Sequence, residues 1–141
     1  YLDPAKLEEH NLRLKKKYDE ITKNEVRYEL INTDDAEYIL VAYGTMARIC
    51  RSAILTLREE GIKVGMIRPI TLWPFPNEAF DKIAKSAKEI LVCELSLGQM
   101  IQDVKIAVNG KYPIHFYGRA GGIVPEPIEI VNEIKKIKEG K

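Results

Sequence analysis

The chain holds only two cysteines, Cys50 and Cys93, 43 positions apart and in no CxxC pair. They supply neither a disulfide framework nor the clustered thiolates of a zinc or iron–sulfur site. Both lie among apolar neighbours and read as core residues. Histidine is as scarce: His10 and His115 stand in no metal-ligand spacing, and each reads as solvated or as a satisfied core group. Neither sign of charge dominates, since 22 basic residues face 21 acidic ones for a net charge of +1. Nothing in that balance calls for nucleic acid or an anionic membrane as partner. No apolar run approaches the roughly 18 residues that span a bilayer. The start shows no basic segment followed by a hydrophobic core and cleavage site, so the expected location is the cytoplasm. Ser52, Ser86 and Ser96 are not in GxSxG, which leaves a serine hydrolase without support.

What is present is enough for one globular domain, 141 residues of which 45% are hydrophobic. The first two dozen residues differ in texture from the rest, and with Tyr1 in place of a methionine they have the look of an excised piece. Asp3-Pro4 forms a cap and first turn, and Glu8, Lys15, Lys16, Lys17, Asp19 and Glu20 continue a helix-favouring run. Leu7, Leu14, Tyr18 and Ile21 make only a thin apolar stripe. So polar a helix bridges domains or lies on a partner. Residues 1–25 are therefore expected to be a connecting helix, with a functional charged arm as the alternative.

From residue 26 the pattern becomes strand, then helix, repeated. Val26, Tyr28 and Leu30 alternate with Arg27 and Glu29, as in an edge strand with one dry face. Tyr38 to Tyr43 is a nearly continuous apolar run, the signature of a strand covered on both faces. Gly44-Thr45 then turns into a helix bearing Met46, Ile49, Cys50, Ala53 and Leu57, stopped by Gly61. Ile62 to Ile67 is the next strand. Phe80, Ile83, Ala84 and Ala87 have helical spacing, Glu89 to Cys93 is a buried strand, and Gly98 opens a helix with Met100, Ile101, Val104 and Val108. Ile114 to Tyr117 makes the last strand, and Ile128, Val131, Ile134 and Ile137 define the closing helix. This alternation predicts an α/β fold in three layers, with a mostly parallel sheet.

Ligands of such sheets gather beyond the carboxyl ends of the strands. Four loops fall there. Gly44-Thr45 could offer backbone N–H groups at a helix start to a phosphate or carboxylate, but the remaining glycines of GxGxxG or a P-loop are missing. Thr45 is expected instead to cap the helix. Glu94 directly follows an apolar strand. It is either an acid or base of raised pKa or, as favoured here, the acceptor of hydrogen bonds from the nearby loop or helix start. Gly98 opens that helix. Gly118 to Gly122 is glycine-dense around Arg119, which could fix an anionic ligand or a carboxylate of a neighbouring subunit, or simply lie in a flexible crossing. Arg68 to Pro76 holds three prolines and the only tryptophan. Loops this long and stiff meet other surfaces more often than short linkers do, and Trp73 is the best interface anchor, with a core position as its alternative.

The run Leu40-Val41-Ala42-Tyr43-Gly44-Thr45, then Gly61-Ile62-Lys63-Val64, then Arg68 to Pro76, then Ile90 to Glu94 with Gly98-Gln99-Met100, resembles the transketolase C-terminal domain. More narrowly, it is similar to that domain in the alpha subunit of 2-oxoacid:ferredoxin oxidoreductases. Asn24 to Glu29 and Phe116 to Gly122 most resemble the branched-chain, 2-oxoisovalerate type. The resemblance implies a five-stranded sheet of order 1-3-2-4-5 with strand 1 antiparallel. It implies a missing N-terminal thiamine-type domain before the connecting helix, with residues 26–141 as the transketolase-like domain. It also implies oxidative decarboxylation of 2-oxoacids on thiamine diphosphate with Mg2+, transfer of the acyl group to coenzyme A, and electrons passed through iron–sulfur clusters to ferredoxin. Those groups would be bound by thiamine-domain and iron–sulfur subunits of a hetero-oligomer and not by this chain, which is expected to be inactive alone. Arg68, Trp73, Phe75, Tyr117 and Arg119 are the expected interface residues. No catalytic residue is expected, and Gly44, Thr45, Glu94 and Gly98 are the cofactor-binding candidates. The same domain in transketolases or in beta subunits of 2-oxoacid dehydrogenases is the alternative context, and a small-ligand module a further one.

Overall fold

The protein is described as a computed structural model covering residues 3–140. Helix α1 (Pro4–Asn24) begins where Asp3 accepts the Ala5 N–H at 2.9 Å, with Pro4 in the first turn, and none of its residues is buried. The remaining elements are β1 (Tyr28–Ile31), β2 (Tyr38–Val41), α2 (Gly44–Glu59), β3 (Val64–Pro69), a single turn of 3-10 helix (Asn77–Asp81), β4 (Glu89–Glu94), α3 (Met100–Val108), β5 (Ile114–Gly118) and α4 (Pro127–Lys138).

The five strands lie in the order β1-β3-β2-β4-β5. β1 runs antiparallel to β3, and every other pair is parallel. The expected order and the antiparallel first strand are both present. β2 is buried along its whole length because the sheet is covered on both faces. Tyr38, Leu40, Met66, Leu91 and Cys93 face α2 and α4, while Ile39, Val41, Ile67, Ile90 and Val92 face α3 and the 3-10 turn. Adjacent residues thus feed opposite cores, as the pleat requires.

Three expectations are corrected. Phe80, Ile83 and Ala87 are buried as their spacing predicts, but residues 77–88 form no α-helix. The Ala84 and Lys88 N–H groups donate to the carbonyls of Thr33 and Glu37, and the Ser86 hydroxyl to that of Ala36, so this stretch pairs short local turns with bonds to the β1–β2 loop in place of a continuous helical ladder. Thr45 is not the cap of α2. Gly44 turns the chain at φ +56° and Tyr43 takes the cap position, which leaves Thr45 two residues past it and exposed. In α4 the apolar face runs through Ile130, Val131, Ile134 and Ile137, and Ile128 is exposed.

Candidate functional site

The turn after β2, the proline loop after β3, the serine–leucine loop after β4 and the glycine loop after β5 share one rim, because all four strands point the same way. Glu94 ends β4 with a side chain that is 0% exposed. One carboxylate oxygen accepts the N–H groups of Gln99 and Met100, each at 3.0 Å, and the Ser96 hydroxyl at 2.9 Å; the other accepts the Ile101 N–H at 2.9 Å. The first N–H groups of a helix have no partner within it, and a carboxylate there also meets the positive end of the helix dipole. Glu94 therefore closes the start of α3, with Gly98 (φ +105°) allowing the bend and donating its N–H to Ser96 at 3.1 Å. A backbone bond from Arg119 N–H to the Glu94 carbonyl, 3.1 Å, ties the glycine loop to the same corner.

Arg119 and Tyr117 meet at a residue that sequence reasoning missed. The Tyr117 hydroxyl donates to Glu129 at 2.7 Å, Arg119 Nε donates to that hydroxyl at 3.0 Å, and the guanidinium pairs with the same carboxylate. The Arg119 and Tyr117 hydrogen bonds hold the Glu129 carboxyl down at about 2. Glu129 also accepts the Glu126 N–H at 3.0 Å. The Glu126-Pro127 start with Glu129 three positions on is the capping pattern that could have revealed it. Arg68 pairs with Glu29 on β1 at 3.0 Å. Trp73 is 60% exposed and meets Tyr18 of α1 edge-on at 5.6 Å, while Phe75 stacks on Phe80 at 6.1 Å. Trp73 is thus no core residue, and the five interface candidates separate into one largely exposed side chain and four with partners in this chain.

Cys50 and Cys93 are both fully buried, and burial together with the neighbouring Cys50 pushes the Cys93 thiol well above its ordinary range. Thiols of that kind do not fit an iron–sulfur cluster, which needs four accessible thiolates. Among the described residues no group of three or more His, Cys, Asp or Glu side chains is placed to hold a metal ion. No described helix is long and apolar enough to cross a membrane. His115 pairs with Glu89 at 2.6 Å, and His10 lies 2.9 Å from Arg13.

The strand order, with its antiparallel first strand and helices on both faces, defines an α/β domain of the transketolase C-terminal type. A structure described as a split-gene transketolase, inactive beta4 tetramer, shares the fold at a TM-score of 0.64 and 18% identity, covering 78% of this chain and 40% of that one. The family model for pyruvate:ferredoxin oxidoreductase core domain II matches residues 36–130, and the chain belongs to that family. It is 43% identical over 137 residues to the ketoisovalerate oxidoreductase subunit VorB of Methanothermobacter marburgensis, covering 97% of this chain and 39% of that one. To the 2-oxoglutarate synthase subunit KorA of the same organism it is 31% identical, over 98% of this chain and 38% of the relative. It shares its fold with the 2-oxoglutarate:ferredoxin oxidoreductase of Magnetococcus marinus at a TM-score of 0.78 and 24% identity, over 96% of this chain and 24% of that one. The chain thus spans about two fifths of the length of the curated relatives it matches.

Proposed function

We propose that this chain is the architectural domain of a 2-oxoacid:ferredoxin oxidoreductase subunit, supporting oxidative decarboxylation of a branched-chain 2-oxoacid to its acyl-coenzyme A with reduction of ferredoxin. The observation that carries this reading is the 43% identity to a ketoisovalerate oxidoreductase subunit over 97% of the chain, against 31% to a 2-oxoglutarate synthase subunit. The rim supports an architectural role over a catalytic one. Glu94 spends its carboxylate on α3, and Arg68 and Arg119 each hold a carboxylate of this chain.

Thiamine diphosphate, Mg2+, coenzyme A and the iron–sulfur clusters are assigned to other domains or subunits of the complex, and ferredoxin is met only through them. Gly44 and Thr45, exposed on the rim, could still shape the entrance used by the 2-oxoacid or coenzyme A. Residues 1–25 link the domain to a preceding thiamine-type domain. Trp73 is the contact anchor, Arg68 and Phe75 hold the loop that carries it, and Tyr117 and Arg119 hold the glycine loop at the other edge of the sheet. The assembly is a hetero-oligomer working in the cytoplasm.

The test is a viologen-dye assay with 2-oxoisovalerate, coenzyme A, thiamine diphosphate and Mg2+. The intact complex reduces the dye, and the purified chain does not. Turnover by the chain alone would defeat the architectural role, and no 2-oxoacid-dependent reduction by the intact complex would defeat the oxidoreductase reading.

A further inference from the structure

Helix α1 leaves the domain with no buried residue to hold it, and only Glu25, Val26 and Arg27 separate its end at Asn24 from β1. Those residues bring little of their own to fix a direction. The Glu25 N–H still closes on the Ile21 carbonyl at 2.9 Å, and the Arg27–Glu25 ion pair, 2.9 Å long with both side chains exposed, is of the kind that water screens. The backbone of Arg27, by contrast, is taken up by the proline loop. Its carbonyl accepts the Ile70 and Thr71 N–H groups at 3.0 and 3.1 Å, and its N–H donates to the Thr71 hydroxyl at 3.0 Å.

That hydroxyl has one proton to give. The Pro74 carbonyl takes it at 3.1 Å, since the Arg27 carbonyl lies farther off at 3.4 Å and already has two donors. Thr71 thus joins the chain just before β1 to the far arm of the loop. The loop is itself rooted in the core: Pro74 and Pro76 are buried, and Phe75 stacks on Phe80 at 6.1 Å. A second hold lies about two turns back from the end of α1, where Trp73 meets Tyr18 edge-on at 5.6 Å. Trp73 stays 60% exposed, so this contact leaves most of its side chain uncovered.

We infer that the proline loop is a clamp that fixes the direction in which α1 leaves the sheet, with Thr71 as its positioning residue and Trp73 as its second point of hold. A helix held at one point swings, and one held at two separated points has a direction. Where residues 1–25 link to a preceding domain and Trp73 meets a partner, a consequence that rests on the proposed function, the clamp sets those two at a fixed angle. The clamp itself is made of contacts within this chain and stands or falls without that reading.

Both core clusters close within this chain, so it can be tested as it is. Trp73 is the only tryptophan and therefore a single donor for energy transfer, and Cys50 and Cys93 are buried away from thiol reagents. Lys6→Cys carries a dansyl acceptor on the exposed surface of α1, about 18 Å along the helix from Tyr18 at ~1.5 Å per residue. Time-resolved transfer is expected to give one narrow distribution of distances. Thr71→Val keeps the shape of the side chain and removes its hydrogen bonds; it should widen the distribution about twofold or more with circular dichroism unchanged. Tyr18→Ala, on a helix with nothing buried, spares the core and should widen it too, and it decides the matter if Thr71→Val does not fold. Thr71→Ser, which keeps the hydroxyl, and Thr22→Val, exposed on the same helix, should match the parent. A broad distribution in the parent would overturn the inference, as would a narrow one in folded Thr71→Val or in Tyr18→Ala, or equal widening by Thr71→Ser or Thr22→Val. None of these results bears on dye reduction by the intact complex, which tests the oxidoreductase reading separately.

Discussion

Glu94 is a carboxylate shut away from water, and what keeps it there is four donors converging on two oxygens. Glu94→Gln puts an amide N–H2 where one of those oxygens accepted, so donors face a donor. The unfolding free energy measured in urea should fall by about 2–3 kcal/mol, the range for a charged hydrogen bond lost with its partners left buried; an unchanged midpoint would remove Glu94 as the closure of α3. Gly65 is a second tight position. A Cβ there would stand 2.5 Å from the Asn32 carbonyl oxygen and 2.9 Å from its carbon, both backbone. Gly65→Ala should cost about 1–3 kcal/mol, since β3 or the β1–β2 loop must move. Glu129 gives a pH signature. Its folded-state value of about 2 lies below its ordinary 4.5, so its contribution is present above that ordinary value and is lost as pH falls toward 2. Arg119→Gln should therefore lower the melting temperature at pH 6 but make little difference near pH 2, and a pH-independent gap between the two proteins would contradict the pairing.

At the scale of elements, what could be read from the sequence follows from how each is buried. β2 and β4 were legible as unbroken apolar runs because helices cover both their faces, and α2 and α3 because one face is dry. β1 showed by alternation, although its four residues are all only half-buried at the edge. Residues 77–88 misled because helical apolar spacing says which side chains are buried and not where the backbone N–H groups go; here those of Ala84 and Lys88 go to Thr33 and Glu37. Thr45 misled for a related reason, since a cap position depends on where Gly44 turns. At the candidate site, the Glu94 hydrogen bonds were legible from its place between a buried strand and a helix start. Glu129 was not singled out, because its partners Tyr117 and Arg119 come from across the glycine loop. Helix α1 has no buried residue and few apolar contacts to hold it. In this chain alone its amide hydrogens should exchange orders of magnitude faster than those of β2 and β4, by hydrogen-exchange mass spectrometry. Protection equal to that of the sheet would mean that α1 is covered.

As a whole molecule, the chain joins a closed two-sided core to surfaces that the described residues leave largely uncovered, among them the length of α1 and Trp73. Glu94, Arg68 and Arg119 are engaged within the chain, which belongs to a family of oxidoreductase domains, and that engagement is what the proposed architectural role requires. The most direct measurement is a mass-spectrometric inventory of the native complex, purified through a tag on the intact subunit, with its cofactors counted. A thiamine diphosphate-binding partner and an iron–sulfur subunit in fixed ratio to the tagged one are expected. Recovery of the tagged subunit alone, without thiamine diphosphate or clusters, would contradict it.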